Sequence, residues 1–192
     1  LRTGRRRLDV ELPEYRVVDR ARFDRELVRA AVDAGATFAD GVSASVAAGG
    51  VVTLRAEDGG ERTVRPRAVV VADGLKGAAL RGHPGFSWTI RPASRVGLGA
   101  IARAHPRGCP TDAVTMLHAR AGYAGIAPLA DGRAVVAAAA SPAHLKMLAG
   151  HPPLPALLEA LGLPGVEALG LDAVRGAPAL TRRRSAVEAD GR

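Results

Sequence analysis

The sequence predicts an α/β chain with α+β elements, on three observations. First, Phe23, Leu27, Ala30, Ala31 and Ala34 fall at helical spacing between Arg22 and Ala34, one continuous apolar stripe. Second, Ala68–Ala72 reads AVVVA, the length and β-branched content of a strand buried on both faces of a parallel sheet, and it stops abruptly at Asp73-Gly74. Third, after Gly82 come the strand candidates Arg95–Arg103, Ala113–Ala119, Tyr123–Leu129 and Ala134–Ala140, the pattern of a separate antiparallel sheet. The expected division is a first domain over residues 1–82, an antiparallel-sheet domain with short helices over 83–178, and a return toward the first domain over 179–192.

In chain order, Leu8–Leu12 reads as an edge strand and Tyr15–Asp19 as a second extended run. Asp19 is placed to cap the helix and Gly35 to end it. Ala36–Phe38 and Val42–Val46 suggest strand segments, and Val51–Ala56 and Arg62–Val64 flank a hairpin signal, Glu57-Asp58-Gly59-Gly60. Pro66 closes that meander, and the buried strand follows. An Asp at the carboxyl end of such a strand points into the crevice where open α/β sheets bind ligands. Gly74 permits a sharp turn and a close approach, and Leu75–Arg81 reads as a short helix whose first amides face an anion. In the second half, Asp131-Gly132 is a turn, Ala143–Leu148 and Pro155–Leu161 are short helices, and Asp172–Gly176 is a returning strand.

Composition narrows the function. The 192 residues are 47% hydrophobic but only 3% aromatic, so Ala, Val and Leu must build the core. The net charge is +8. Its densest runs, Arg5-Arg6-Arg7 and Arg182-Arg183-Arg184, carry no interleaved aromatic residues and read as solvated basic faces rather than nucleic-acid patches. Cys109 is the single cysteine, which excludes an intramolecular disulfide or a cysteine-cluster metal site and fits a reducing, cytoplasmic setting. No apolar run reaches the roughly 18 residues of a membrane-spanning helix. The five histidines share no metal-ligand spacing, and no G-x-S-x-G elbow occurs. Gly97-Leu98-Gly99-Ala100-Ile101-Ala102 matches the G-x-G-x-x-A dinucleotide pattern, but it lies inside a strand-like run and opens no helix, so it reads as a glycine-containing strand.

Three pieces of the chain carry a resemblance. They are Arg20-Ala21-Arg22-Phe23-Asp24-Arg25-Glu26-Leu27 with Gly35-Ala36; Val69-Val70-Val71-Ala72-Asp73-Gly74-Leu75 with Leu80-Arg81; and Gly122 to Leu129 with Asp131-Gly132. In this order and spacing they resemble the FAD-dependent oxidoreductase superfamily of para-hydroxybenzoate hydroxylase, geranylgeranyl reductases and flavin-dependent halogenases. The resemblance implies part of a Rossmann-like FAD-binding domain joined to an antiparallel-sheet substrate domain. It implies FAD as cofactor, NAD(P)H as reductant and a small organic substrate that is hydroxylated or reduced; the apolar, aromatic-poor second sheet points to a hydrophobic one. It implies Arg20, Asp73 and Gly74 as cofactor-binding residues, and the third piece as the sheet segment lining the substrate cavity. It names no catalytic side chain.

Departures from the family pattern refine this. Gly77 stands where many members have Ser. Tyr123 and Gly125 stand where halogenases carry Trp-x-Trp, so the expectation is hydroxylation or reduction rather than halogenation. The Gly-rich loop and the Gly-Asp motif of the family are expected before residue 1 and after Arg192, which makes the chain an internal piece, inactive alone. The competing expectation is a non-enzymatic α/β binding module that happens to carry Asp-Gly.

Overall fold

The computed structural model describes residues 2–3, 6–11, 13–14 and 17–184. The strands, in chain order, are β1 (Arg2–Thr3), β2 (Arg6–Arg7), β3 (Val42–Val46), β4 (Val52–Ala56), β5 (Glu61–Val64), β6 (Trp88–Ile90), β7 (Val96–Ala102), β8 (Thr115–Ala119), β9 (Gly122–Pro128), β10 (Ala134–Ala140), β11 (Arg175–Ala177) and β12 (Arg182–Arg184). The helices are α1 (Arg20–Asp33), α2 (Pro142–Met147) and α3 (Pro153–Ala160). The chain divides into two compact units, Leu1–Phe23 with Pro92–Leu180 and Asp24–Arg91 with Thr181–Arg192.

The first unit is built on a sheet in the order β11-β7-β10-β9-β8-β1-β2. Each adjacent pair is antiparallel except β1 with β8. Side chains alternate across a strand, and one face of this sheet forms the core. Ala134, Val136, Ala138 and Ala140 of β10 cluster there with Ala124 and Ile126 of β9, Leu117 of β8 and Ala102 of β7. Helix α3 closes that face. Pro153 suits its first turn, where the lost N–H has no partner to miss. Leu154, Leu157 and Leu158, at i, i+3 and i+4, are each completely buried, contributing about 1.5–3 kcal/mol apiece by leaving water. Ser141 starts α2: its hydroxyl accepts from the His144 amide at 3.2 Å, and Pro142 follows.

The second unit holds most of α1, the meander β3-β4-β5 and the pair β6-β12. Helix α1 is bounded as its sequence predicts. The Asp19 carboxylate accepts from the Ala21 and Arg22 amides at 3.0 and 3.2 Å. At the other end Gly35 takes φ +96°, with Gly35 N–H bonded to Val32 C=O and Ala36 N–H to Ala31 C=O, the paired bonds of a Schellman cap. Its apolar stripe is nevertheless exposed: Phe23 is 46% and Leu27 53% accessible.

Several expectations are corrected. Ala68–Ala72 is not a buried strand; it is irregular backbone with Val70 90% exposed. A run buried on both faces needs a strand on either side to take its amides and carbonyls, and among the described residues none pairs with it. Leu75–Arg81 is not an α-helix but two single 3-10 turns, Gly74–Lys76 and Ala78–Leu80. Left-handed backbone at Gly74 (φ +71°) and Gly77 (φ +56°) interrupts the α-helical path. Ala36–Phe38 forms no strand, and neither do Leu8–Glu11 or Val17–Asp19; Leu12, Tyr15 and Arg16 lie outside the described residues, as does the 185–192 part of the expected return. Arg182–Arg184 forms strand β12, paired with β6, with Arg182 half-buried and Arg183 exposed. The second-half strands hold, with Ala134–Ala140 matching to the residue and the returning strand shifted to Arg175–Ala177.

Candidate functional site

The Asp73-Gly74 turn is built by one carboxylate. Asp73 Oδ2 accepts from the Ala79 amide at 2.7 Å, so a single side chain spans both 3-10 turns. A charged acceptor on a backbone N–H makes a short, strong bond. Gly74 then turns the chain with φ +71°, and a Cβ there would meet no atom within 4 Å, so its backbone borders open space. Gly77 is the opposite case. It is buried, and a Cβ would lie 2.7 Å from the Trp88 ring at Cζ2. Glycine at this position lets the turn lie flat on the indole.

Trp88 and Arg182 complete the turn, and sequence reasoning missed both. In the β6-β12 ladder, Arg182 pairs with Ile90 and Arg184 with Trp88, so Arg182 and Trp88 are diagonal neighbours. The Arg182 guanidinium stands 5.5 Å from the Trp88 ring centroid and its Nη1 donates to the Leu75 carbonyl at 2.9 Å. Phe86 meets Trp88 edge-on at 5.5 Å. The available signals were that Trp88 is the single tryptophan and that the arginine run follows the expected return of the chain.

Arg20 lies in the first unit, on the first turn of α1 directly after the capping Asp19. Asp73 and Gly74 share one turn in the second unit. Asp19 has a second duty. Its Oδ2 lies 3.5 Å from Arg133 Nη2, and Arg133 in turn pairs with Asp131 at 2.7 Å across the β9–β10 turn. The Arg133 guanidinium and amide bonds hold the Asp131 carboxyl below the usual carboxylate range, and Asp131 raises Arg133.

The third piece, now β9, contributes to the open face of the first unit's sheet. Register aligns Arg175, Gly99, Ala137 and Gly125 in one row and Ala177, Gly97, Ala139 and Tyr123 in the next. Over these rows lies an open cavity of about 390 Å³, floored by Gly97, Gly99, Ala137 and Ala139 and edged by Tyr123 and Arg175. The Arg95 guanidinium stands 5.5 Å from the Tyr123 ring centroid. The dinucleotide-like glycines therefore belong to strand β7, as the sequence reading holds. Among the described residues no His/Cys/Asp/Glu group is arranged to hold a metal, and no helix is long and apolar enough to cross a membrane.

No family model and no curated protein matches this sequence. Solved structures do. An anhydrotetracycline hydroxylase from Streptomyces rimosus superposes with TM-score 0.53 at 19% identity, covering 87% of this chain and 32% of its own. A flavin-dependent halogenase from Brevundimonas gives 0.56 at 23%, covering 87% and 32%. A geranylgeranyl bacteriochlorophyll reductase-like protein from Thermoplasma acidophilum gives 0.55 at 22%, covering 82% and 41%. The chain spans less than half the length of these structures. On this evidence its helices and antiparallel sheets have the fold found in flavoprotein oxidoreductases.

Proposed function

We propose that the chain is the central piece of an FAD-dependent oxidoreductase acting on a small hydrophobic organic substrate, with NAD(P)H as reductant and a cytoplasmic setting. The observation that carries this is the Asp73-Gly74 turn. A carboxylate fixes it from within, and the Gly74 backbone borders space that any Cβ would enter. A flat cofactor edge fits such a surface. Asp73 would hold the turn through the Ala79 amide, and Gly74 would allow close approach. Arg20 would offer two donors to ribityl or pyrophosphate oxygens from the first turn of α1. When bound, the flavin would take a hydride equivalent from NAD(P)H and supply the redox chemistry, either two electrons to a double bond or an oxygen atom from O2. The open face of β7, β9 and β10 would seat the apolar surface of the substrate.

Structural neighbours that hydroxylate, halogenate or resemble a reductase share this one fold, so fold does not choose among reactions. Tyr123-Ala124-Gly125 in place of Trp-x-Trp argues against halogenation. Oxygen uptake separates the other two: hydroxylation consumes one O2 per product, and double-bond reduction consumes none.

The test is flavin content and the rate of flavin reduction by NAD(P)H in the full-length protein, for wild type, Asp73→Ala and Gly74→Val, with thermal melts alongside. Both variants should lose flavin at modest cost to the melt, and Gly74→Val should lose more. Full occupancy and a wild-type rate in Asp73→Ala would reduce Asp73-Gly74 to an ordinary turn. Arg20→Ala should also lose flavin on dialysis. The 192-residue chain by itself, shorter than half of its structural neighbours, should bind FAD weakly in equilibrium dialysis.

A further inference from the structure

We propose that the cavity on the open face of β7, β10 and β11 takes a slender apolar molecule bearing an anionic group, such as an organic carboxylate, with Gly99 under its apolar part and Arg175 at its charge. This rests on the flavoenzyme reading and names the substrate class of its sheet domain.

Gly99 carries the first half of the argument. It sits mid-strand in β7, paired with Ala137 on one side and Arg175 on the other. A glycine inside a strand weakens it and needs a reason. The usual reasons are missing here. Gly99 is not among the positive-φ glycines, and a Cβ would meet nothing nearer than the Val136 carbonyl oxygen at 3.6 Å, an ordinary contact. Gly97 differs, because its Cβ would press on Ala177 at 3.1 Å. At Gly99 neither the backbone nor a neighbour requires glycine; a side chain there would fill the cavity. The cavity volume, about 390 Å³, falls at the lower end of the range for small-molecule sites.

Arg175 carries the second half. It is the one charged residue lining the cavity, and among the described residues its side chain forms no ion pair. The nearby acid Asp172 is 3.7 Å from Arg103 instead. The rest of the lining is Gly, Ala, Leu and Tyr123. An apolar floor with a single unpaired guanidinium at its edge complements a ligand that is apolar along its length and anionic at one end.

The test uses 2-naphthoate and its neutral counterpart 2-naphthamide, titrated into the 192-residue chain without flavin and followed by calorimetry. The acid should bind at least about tenfold tighter than the amide, the ratio expected of a charge-assisted pair. Arg175→Gln should erase that difference and leave amide binding unchanged. Gly99→Leu should abolish binding of both, with the melt confirming the fold; should it fail to fold, Gly99→Ala should weaken both severalfold. Equal affinity for acid and amide, or unchanged binding in Arg175→Gln, overturns the anionic assignment. Unchanged binding in the glycine variants overturns the site. Because no flavin enters the assay, its failure leaves the flavin-retention result standing, and loss of flavin retention leaves this binding result standing.

Discussion

Helices α1 and α3 were written by the same rule and came to different ends. Both carry apolar residues at helical spacing. In α3, Leu154, Leu157 and Leu158 are completely buried against the sheet. In α1, which is nearly twice as long, no residue is buried and Phe23 and Leu27 face solvent. The difference lies in the partner. The sheet that covers α3 is supplied by the same stretch of chain, whereas the described residues supply no cover for the α1 stripe. The amphipathic pattern states what a segment needs to bury and is silent on where the burying surface comes from.

Truncation should expose this contrast most strongly. Leu157→Ala should cost about 2–5 kcal/mol, since it empties a filled site in the core. Leu27→Ala should change stability by less than about 0.5 kcal/mol. Denaturant unfolding of the two variants checks this; equal losses would mean that α1 is packed in solution. A smaller but still clear effect is expected at the turn. Gly77→Ala forces a Cβ into the Trp88 ring at a left-handed position and should cost about 1–3 kcal/mol. Trp88 is the only tryptophan, so its fluorescence reports any displacement directly. An unshifted emission maximum would contradict the contact. Asp73→Asn should cost less again, about 0.5–1.5 kcal/mol, read as faster hydrogen exchange of the Ala79 amide.

The smallest effect is electrostatic and falls in the first unit. The folded Asp131 carboxyl titrates below its ordinary value of 3.8 because Arg133 holds its charged form. A lowered folded pKa contributes stability that is present above the unfolded pKa and is lost as pH falls through the folded value. Acidification below the ordinary carboxylate range should therefore release Arg133 from Asp131. Titration of the Asp131 carboxyl by NMR should show a higher midpoint in Arg133→Gln than in wild type.

What the sequence revealed follows the same division. Ala134–Ala140 and Val52–Ala56 were legible because their pairing partners sit one turn away in the chain, with Asp131-Gly132 and the Glu57–Gly60 turn marking the reversals. The caps of α1, Asp19 and Gly35, were legible because capping is local. Ala68–Ala72 was misread because burial on both faces is a property of neighbours, and composition alone cannot supply them. At the site, Asp73 and Gly74 stood out as a turn pair. The Trp88 and Arg182 contacts did not, because a strand pairing across about ninety residues of chain leaves no short-range signature.

The exposed Ala68–Ala72 segment has a consequence for how this chain behaves at high concentration. Its five residues AVVVA are rich in β-branched side chains, uncharged and free of proline, with Val70 almost fully accessible. Such segments template intermolecular strand pairing, the nucleus of cross-β aggregation. Arg67 and Asp73 bracket the run and act as gatekeepers, each placing a charge where a growing stack would bring like charges together. Asp73 thus places a charge at the end of that run as well as holding its turn. Replacing it with alanine removes both functions at once, while asparagine keeps the polar cap and loses the charge.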